Sequence, residues 1–323
     1  MPESDRDVQS ADGAVNPGAK FSDPDITLDG TARARITLRG LKTLWVNTGT
    51  LCNVTCEHCY IESSPTNDRL AYFRRRDLIT YLDEIAGEGL ATEEVGFTGG
   101  EPFMNPDLLD MLGDVLGRGL TALVLTNAML PMHHNKAALL ELRREFGDAL
   151  RIRVSLDHYT RALHEEERGA GTWEPALAGI QWLWDMGFDP RIAGRTMWGE
   201  DDEQLRAGYR DLFQRHGIGI DTGDPQYLVL FPEMNGAEDV PEITEDCWGI
   251  LGVDPGDIMC ASSRMVVLRK GATAPVVLAC TLIPYDSRFE LGVTLAQADQ
   301  SVSLNHPHCA KFCVLGGGSC SAG

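Results

Sequence analysis

The stretch Cys52-Asn53-Val54-Thr55-Cys56-Glu57-His58-Cys59 places three cysteines at a CxxxCxxC spacing. It follows a short apolar run over residues 43–46 that predicts a β-strand. A chain brings three thiolates this close together when it holds a metal ion or an iron–sulfur cluster. Three ligands on a four-iron cluster leave one iron open to another molecule. The stretch therefore predicts a metal or cluster site in a loop at the end of a strand.

A second motif, Thr98-Gly99-Gly100-Glu101-Pro102, closes another apolar run further along the chain. CxxxCxxC followed by GGEP resembles the radical S-adenosylmethionine (radical SAM) superfamily. The resemblance implies a [4Fe–4S] cluster on Cys52, Cys56 and Cys59, with the amino and carboxylate groups of SAM on the open iron. It also implies that one electron, from a reductant such as flavodoxin or ferredoxin, cleaves SAM to methionine and a 5′-deoxyadenosyl radical. That radical removes a hydrogen atom from the substrate.

Two other uses of these cysteines compete with a cluster. A zinc site normally pairs its cysteines as CxxC and needs a fourth ligand, which His58 supplies only if the loop folds back tightly. A disulfide is disfavoured because the nine cysteines are an odd number and the first thirty residues show no basic-then-apolar export signal. We therefore expect a cytoplasmic protein that uses its thiols for metal.

Length and charge narrow the function classes. A chain of 323 residues favours one large domain plus a small one. No apolar run approaches the roughly 18 residues that a membrane helix needs, so no membrane partner is expected. The net charge of −20 argues against a nucleic-acid partner, which would require a basic surface.

Short β-like runs alternate with helical stretches from Arg35 to about Pro232. This alternation predicts an α/β fold in which six β-α units curl a parallel sheet into a partial (β/α)6 TIM-like barrel. The predicted strands are Thr43–Asn47, Glu94–Phe97, Ala122–Thr126, Arg151–Asp157, Arg191–Thr196 and Tyr227–Phe231. The predicted helices are Arg75–Glu88, Pro106–Arg118 with Asn105 as N-cap, Lys136–Phe146, Trp173–Met186 with Gly187 as its C-cap, and Glu203–Arg215.

The composition divides the chain into three regions. Residues 1–34 are rich in Asp, Ser, Gly and Pro, and we expect them to be disordered or loosely attached. Residues 35–232 form the predicted barrel. In residues 233–323 the periodicity fades and cysteines return, which predicts a small cysteine-rich auxiliary domain containing a β-hairpin of Met265–Arg269 and Val276–Ala279.

The loops at the C-terminal edge of the strands are expected to form the site. The resemblance implies that the Gly99-Gly100-Glu101-Pro102 motif receives SAM, because glycines let a backbone approach a ligand. Backbone carbonyls there, with Glu101 nearby, can accept hydrogen bonds from an ammonium group. The resemblance also implies that His58 lies against the adenine, although the family more often has an aromatic residue at this position.

Five further polar residues are candidates for the SAM or substrate side of the site. Ser155 and Asp157 alternate onto one face of their strand, and the resemblance implies contacts to the ribose hydroxyls or to substrate. Arg168 resembles an arginine that pairs with the SAM carboxylate, and Arg195 suits the same role or an acidic substrate. Asn127, which follows the third predicted strand, is a candidate for the same kind of contact. The alternative to a functional role is that these residues form surface ion pairs or cap helices.

The C-terminal cysteines resemble the SPASM/twitch extension of radical SAM enzymes, which binds auxiliary [4Fe–4S] clusters. The resemblance is looser here, because CxxxC replaces CxxC at the end and the hairpin is long. Six cysteines are too few for two clusters with four cysteine ligands each. We expect one auxiliary cluster, or alternatively a zinc ion. The expected ligands are Cys260, Cys280, Cys309 and Cys313, with Cys320 as a substitute for Cys313 and Cys247 as the spare.

Four classes of function fit these residues. The first is a redox enzyme whose auxiliary cluster aids oxidation or bond formation on a small molecule, since residues 1–34 are too short for a folded peptide-recognition domain. The alternatives within the family are a peptide-modifying enzyme and a redox-neutral epimerase, in which Cys247 or Cys320 returns a hydrogen atom. A non-catalytic electron carrier or redox sensor is disfavoured by GGEP and the barrel. A structural zinc protein is the fourth.

Overall fold

The computed structural model describes residues 19–233 and 239–318. The strands in these ranges are β1 (Arg35–Ile36), β2 (Thr43–Asn47), β3 (Glu94–Thr98), β4 (Thr121–Thr126), β5 (Leu150–Ser155), β6 (Arg191–Arg195), β7 (Leu228–Phe231), β8 (Ser263–Val267), β9 (Val276–Leu278), β10 (Glu290–Gly292) and β11 (Val302–Ser303). The helices are α1 (Arg75–Glu88), α2 (Leu108–Gly117), α3 (Leu130–His134), α4 (Lys136–Phe146), α5 (Arg161–Arg168), α6 (Trp173–Asp185), α7 (Asp202–Arg215) and α8 (Cys247–Leu251).

Strands β2 to β7 lie side by side in chain order, and each neighbouring pair is parallel. Parallel neighbours need long crossovers, which the intervening helices supply. The predicted α/β fold with a parallel six-stranded barrel sheet is confirmed. All six carboxyl ends therefore meet at one edge of the sheet, where the candidate residues follow the strands.

Side chains alternate along each strand, so one face of the sheet packs in the core and the other faces the candidate site. In β5, Ile152 and Val154 belong to the buried cluster that also contains Leu112 of α2 and Ile180 of α6. Successive side chains of a strand point to opposite faces, so Ser155 faces the other side of the sheet, where it lines a cavity. The helices thus cover the outer face, and the polar residues are left for the inner one.

The helix predicted over Pro106–Arg118 begins later than expected. Asp107 occupies the N-cap position of α2, so Asn105 is not the cap. The Asn105 amide instead donates 2.9 Å hydrogen bonds to the carbonyl oxygens of Thr48 and Phe73. Asn105 thereby joins the loop after β2 to the chain before α1. At the end of α6, Met186 and not Gly187 is the C-cap.

The C-terminal region continues the barrel sheet. β8 pairs in parallel with β2, β9 pairs antiparallel with β8, and β10 pairs antiparallel with β9. The predicted hairpin is therefore present, as β8 and β9, but it adds to the sheet beside the first barrel strand. The sheet crosses the boundary that the composition predicted at residues 232 and 233.

Residues 19–34 pack against the C-terminal region, which differs from the loose attachment expected for residues 1–34. The Arg33 side chain is buried, and it pairs with Glu242 and donates to the carbonyl oxygens of Asp23 and Ile26. Phe21 is also buried, and β1 pairs with β11 just beyond. An arginine satisfied by several acceptors holds a segment that is poor in apolar residues. Within residues 19–233 and 239–318, no helix combines the length and apolarity needed to span a membrane.

Candidate active site

A cavity opens at the C-terminal edge of the barrel strands. Its space, including the open mouth, measures about 1070 Å³. Most of the predicted residues of the barrel site line it, whereas Glu101 and Pro102 are not on its lining. The predicted residues on the lining are Cys52, Cys56, His58, Cys59, Gly99, Gly100, Asn127, Ser155, Asp157, Arg168 and Arg195.

The three motif cysteines share this cavity. Burial raises the pKa of the Cys52 thiol to about 12 and that of the Cys56 thiol to about 11. The Cys59 sulfur accepts a 3.3 Å hydrogen bond from the Ser63 backbone N–H. Thiols with raised pKa values become thiolates only when a positive metal group compensates the charge. Three cysteines around one cavity fit a cluster with one open iron.

A single metal ion requires a tighter arrangement than a cluster does. In the two described ranges, no three His, Cys, Asp or Glu side chains stand close enough together to hold one ion. A four-iron cluster is larger and bridges donors that are further apart.

The two glycines of the GGEP motif allow two loops to cross. Gly100 N–H donates to the Gly49 carbonyl at 2.8 Å, and Glu101 N–H donates to the Leu51 carbonyl at 3.1 Å. A Cβ on Gly100 would lie 2.1 Å from the Leu51 oxygen, and Gly99 has a φ of +132°. The glycines therefore admit the start of the cysteine loop, besides forming part of the cavity wall.

The side chain of Glu101 is hydrogen-bonded to other groups of the protein. Its side chain is 1% exposed and accepts hydrogen bonds from Thr126 Oγ1 at 2.8 Å and from the backbone N–H groups of Asn127 at 2.9 Å and Phe103 at 3.2 Å. Burial raises the pKa of Glu101 to about 6. The carboxylate thus ties the loop after β3 to the end of β4. A direct contact between Glu101 and SAM stays a prediction.

Asn127 connects the end of β4 to the cysteine loop. Its Nδ2 donates to Asn53 Oδ1 at 2.8 Å, and its Oδ1 accepts from the Met129 N–H at 3.0 Å. Asn53 directly follows Cys52. Asn127 therefore holds the residue that follows the first cysteine, and its own N–H is bound to Glu101 of the GGEP motif.

Asp157 and Arg168 form a buried ion pair in the cavity wall. Arg168 donates to both carboxylate oxygens of Asp157, through Nε and through Nη2 at 3.3 Å. The side chain of Asp157 is 5% exposed and that of Arg168 is 14% exposed. Asp157 thus already has a cationic partner, and a ligand carboxylate at Arg168 would share the guanidinium with it.

Glu167 is a cavity residue that the sequence did not reveal. It accepts hydrogen bonds from His58 and from Arg195, so the partner of Arg195 is a carboxylate of the chain itself. Glu167 is the last of three consecutive glutamates in a strongly charged helix. Nothing in that local pattern distinguishes it from Glu165 and Glu166, and only the tertiary contacts do.

A second, smaller cavity lies in the C-terminal region. Its wall contains the thiols of Cys260, Cys280, Cys309 and Cys313, together with His308 and apolar side chains. Burial raises the pKa of Cys260 to about 11 and that of Cys309 to about 12. Cys309–Leu315 forms a π-helix, a rare form that is frequent at functional sites. The four thiols that the sequence predicted as auxiliary ligands therefore share one cavity.

The two cavities are separated by a thin apolar layer. Leu282 lines both of them, and Phe312, next to Cys313, lines the first. The Phe312 ring packs on the Phe231 ring with centroids 5.5 Å apart. Cys247 lies on neither lining in the described part of the chain, and its sulfur contacts Thr244 instead. Cys320 lies outside the described residues.

Comparisons with known proteins agree with this geometry. The family model described as "Radical SAM superfamily" matches residues 46–212. The chain is 30% identical over 152 residues to the antilisterial bacteriocin subtilosin biosynthesis protein AlbA of Bacillus subtilis, which covers 46% of this chain and 32% of AlbA. It is 29% identical over 235 residues to the GTP 3′,8-cyclase of Crocosphaera subtropica, which covers 64% of this chain and 67% of the cyclase.

The fold also resembles a solved structure, that of Streptococcus suis SuiB bound to S-adenosylmethionine. The TM-score is 0.55 at 13% identity, over 78% of this chain and 63% of SuiB. This likeness concerns the fold alone. The chain spans about a third of the length of AlbA, the first of these curated relatives.

Proposed function

Because this chain belongs to the radical SAM superfamily, we propose that it binds a [4Fe–4S] cluster through Cys52, Cys56 and Cys59 and uses SAM to remove a hydrogen atom from a substrate. Radical SAM enzymes depend on a reductant, and the bound cluster supplies the electron that cleaves SAM. One observation carries the residue assignment: the three thiols, the two GGEP glycines and a buried ion pair line a single cavity.

The residues of the chain have distinct tasks in this proposal. The backbone of Gly99 and Gly100 receives the ammonium group of SAM. Ser155 and Asp157 face the ribose or the substrate, and His58 lies beside the adenine. The apolar side chains of Phe231, Leu282 and Phe312 keep water from the reacting atoms.

We further propose that Cys260, Cys280, Cys309 and Cys313 would hold an auxiliary [4Fe–4S] cluster, which would supply an electron acceptor for oxidation or bond formation. The thin layer at Leu282 supports this role, since it brings the second cavity next to the first. The barrel region is residues 35–232 and the auxiliary region is residues 233–323. The redox-neutral alternative would use Cys320 as its hydrogen donor, because Cys247 is not on the lining of the first cavity.

The proposed substrate is a small molecule. The second candidate is a peptide, and the similarity to a bacteriocin biosynthesis protein favours it. The similarity to a GTP cyclase, which extends over more of this chain, favours the small molecule.

Iron and sulfide analysis of anaerobically reconstituted protein tests the assignment. Wild-type protein is expected to hold about eight irons, and a Cys52→Ala/Cys56→Ala/Cys59→Ala variant about four. Formation of 5′-deoxyadenosine from SAM and dithionite is expected only with the wild-type protein. A fall from about four irons to none removes the auxiliary cluster from the proposal. Zinc in place of iron overturns the proposal as a whole.

A further inference from the structure

The carboxylate of Glu167 holds the segment between the second and third motif cysteines. Oε1 accepts from the His58 backbone N–H at 3.1 Å, and Oε2 lies 2.7 Å from His58 Nδ1. The Glu167 carbonyl accepts from the Glu57 N–H at 2.8 Å. Glu57 and His58 are the two residues that separate Cys56 from Cys59. Both of them are therefore bound to the end of α5.

Arg195, at the end of β6, completes the arrangement. Its Nη1 donates to Glu167 Oε1 at 2.6 Å, and its Nη2 donates to the His58 carbonyl at 3.3 Å. The backbone N–H and C=O of His58 are thus both satisfied, one by a helix and the other by a strand. We name the three side chains of Glu167, Arg195 and His58 the loop clamp.

The two charged side chains of the loop clamp, Glu167 and Arg195, are buried. Glu167 is 3% exposed and Arg195 is 9% exposed, so their hydrogen bonds are charge-assisted and shielded from water. A loop that must bind a cluster otherwise loses conformational freedom when it does so. Fixing its backbone beforehand removes part of that cost, which is how a supporting shell preorganises metal ligands.

We propose that Glu167 is a positioning residue that fixes the Cys56–Cys59 segment in the conformation that receives the cluster. This inference rests on the proposed function, in which Cys56 and Cys59 are cluster ligands. Glu167 also sets the tautomer of His58. A carboxylate only accepts hydrogen bonds, so Nδ1 carries the hydrogen atom and Nε2 is the acceptor of the neutral ring.

The first test measures the loop without any cluster. The metal-free full-length chain is treated with N-ethylmaleimide under native conditions, and labelling of each cysteine is followed by peptide mass spectrometry. Glu167→Ala is expected to speed labelling of Cys56 and Cys59 by about tenfold or more, because the loop opens more often. Glu167→Gln keeps the shape and an acceptor, so a smaller increase is expected.

The matched controls are Glu166→Ala and Glu166→Gln. Glu166 is the neighbouring residue on α5, but it is exposed and contacts Trp198. These variants are expected to label as the wild-type protein does. Cys260 and Cys309 serve as an internal control, since their labelling is expected to stay unchanged in every variant. Faster labelling of all four cysteines in both Glu167 variants, or no change at Cys56 and Cys59, overturns the proposal.

The second test adds the cluster. After anaerobic reconstitution, Glu167→Ala is expected to hold fewer irons than the wild-type protein, by up to about four, with Glu167→Gln between them. The reduced low-temperature EPR signal of the remaining SAM-site cluster is expected to broaden, because its ligands become less uniformly placed. Full loading with an unchanged signal in Glu167→Ala overturns the positioning role. A wild-type protein that takes up no iron overturns the proposed function itself, whatever the labelling shows.

Discussion

The thiols of Cys52, Cys56 and Cys59 share their cavity with two buried ion pairs, Asp157–Arg168 and Glu167–Arg195. The thiols of the C-terminal cavity are surrounded instead by side chains such as Ile258, Phe289 and Leu304. The first cavity is thus suited to a charged ligand beside a metal group, since ions need partners when they leave water. The second is suited to a metal group alone.

The two sites also differ in how their backbones are held. The barrel loop depends on long-range side-chain contacts, from Glu167 and Arg195 and from Asn127. In the C-terminal site, Arg264 donates to backbone carbonyls, including that of Cys260 at 2.6 Å, while Cys309 and Cys313 lie on one π-helix. Similar ligands are thus placed by tertiary charge pairs in one site and largely by local backbone form in the other.

Removing two C-terminal thiols should separate the two sites most clearly. A Cys260→Ala/Cys309→Ala variant is expected to lose about half of the bound iron and to keep reductive cleavage of SAM, because the barrel thiols remain. Cys247→Ala is the matched control and should keep all of its iron. Iron analysis and 5′-deoxyadenosine formation provide the measurement. Loss of SAM cleavage together with all of the iron would show that the sites are not independent.

A methyl group at Gly100 should damage only the barrel site. The added Cβ would meet the Leu51 carbonyl oxygen at 2.1 Å, so Gly100→Ala is expected to cost about 3 kcal/mol or more of unfolding free energy. Gly113→Ala in α2 is the control, since no atom lies within 4 Å of its Cβ position. It should raise stability by up to about 1 kcal/mol. Urea unfolding of the metal-free proteins measures both, and equal effects would contradict the crossing of the two loops.

The buried carboxylate of Glu101 should give the barrel site a pH signature. Its pKa is about 6 against an ordinary value of 4.5, so the folded state favours the protonated form. This stabilisation is complete below pH 4.5 and is lost as the pH rises to about 6, a change of about 2 kcal/mol. As the pH rises through this window, the unfolding free energy of the wild-type protein should therefore fall relative to that of Glu101→Gln. Parallel curves from pH 4 to 7 would argue against a buried, raised carboxyl group.

The smallest effect is expected where the two sites touch. Tyr285 Oη donates to the Ile61 carbonyl at 2.8 Å and accepts from Asn67 Nδ2 at 3.3 Å, so it joins the C-terminal region to the cysteine loop. Tyr285→Phe is expected to cost about 1 kcal/mol, because one hydrogen bond to a carbonyl is lost. Urea unfolding provides the value. A loss above about 3 kcal/mol would mean that the sites fold as one unit.

Much of the fold was predictable because its strands and helices have local signatures. The apolar run at β2 and the helical periodicity of α1 and α4 predicted the observed bounds. In these elements the spacing of apolar residues along the chain matches the period of the strand or helix that buries them. The position of β8 beside β2 was not predictable. These strands are far apart in the chain, and no local pattern records which distant strand becomes the neighbour.

The cysteines of the site were predictable from the sequence, whereas most of the hydrogen bonds and ion pairs that support them were not. Motif spacing brought together the three barrel cysteines, and the roles of the other candidates as SAM contacts stay predictions. The sequence predicts ligand contacts for Arg195 and Glu101, whereas the structure pairs them with Glu167 and with Thr126. Glu167 has no sequence signal, because its burial depends on the cysteine loop and on β6 arriving beside it.

The pairing of β8 with β2 has a consequence for work on fragments. All five residues of β2 are buried, and β8 occupies one of its two edges. A barrel fragment that ends near residue 232 would expose that edge as a row of free backbone donors and acceptors. Such a fragment is expected to self-associate through β2 and to precipitate. Neither region is therefore a transferable module, and grafting the C-terminal region onto another barrel would require a matching first strand.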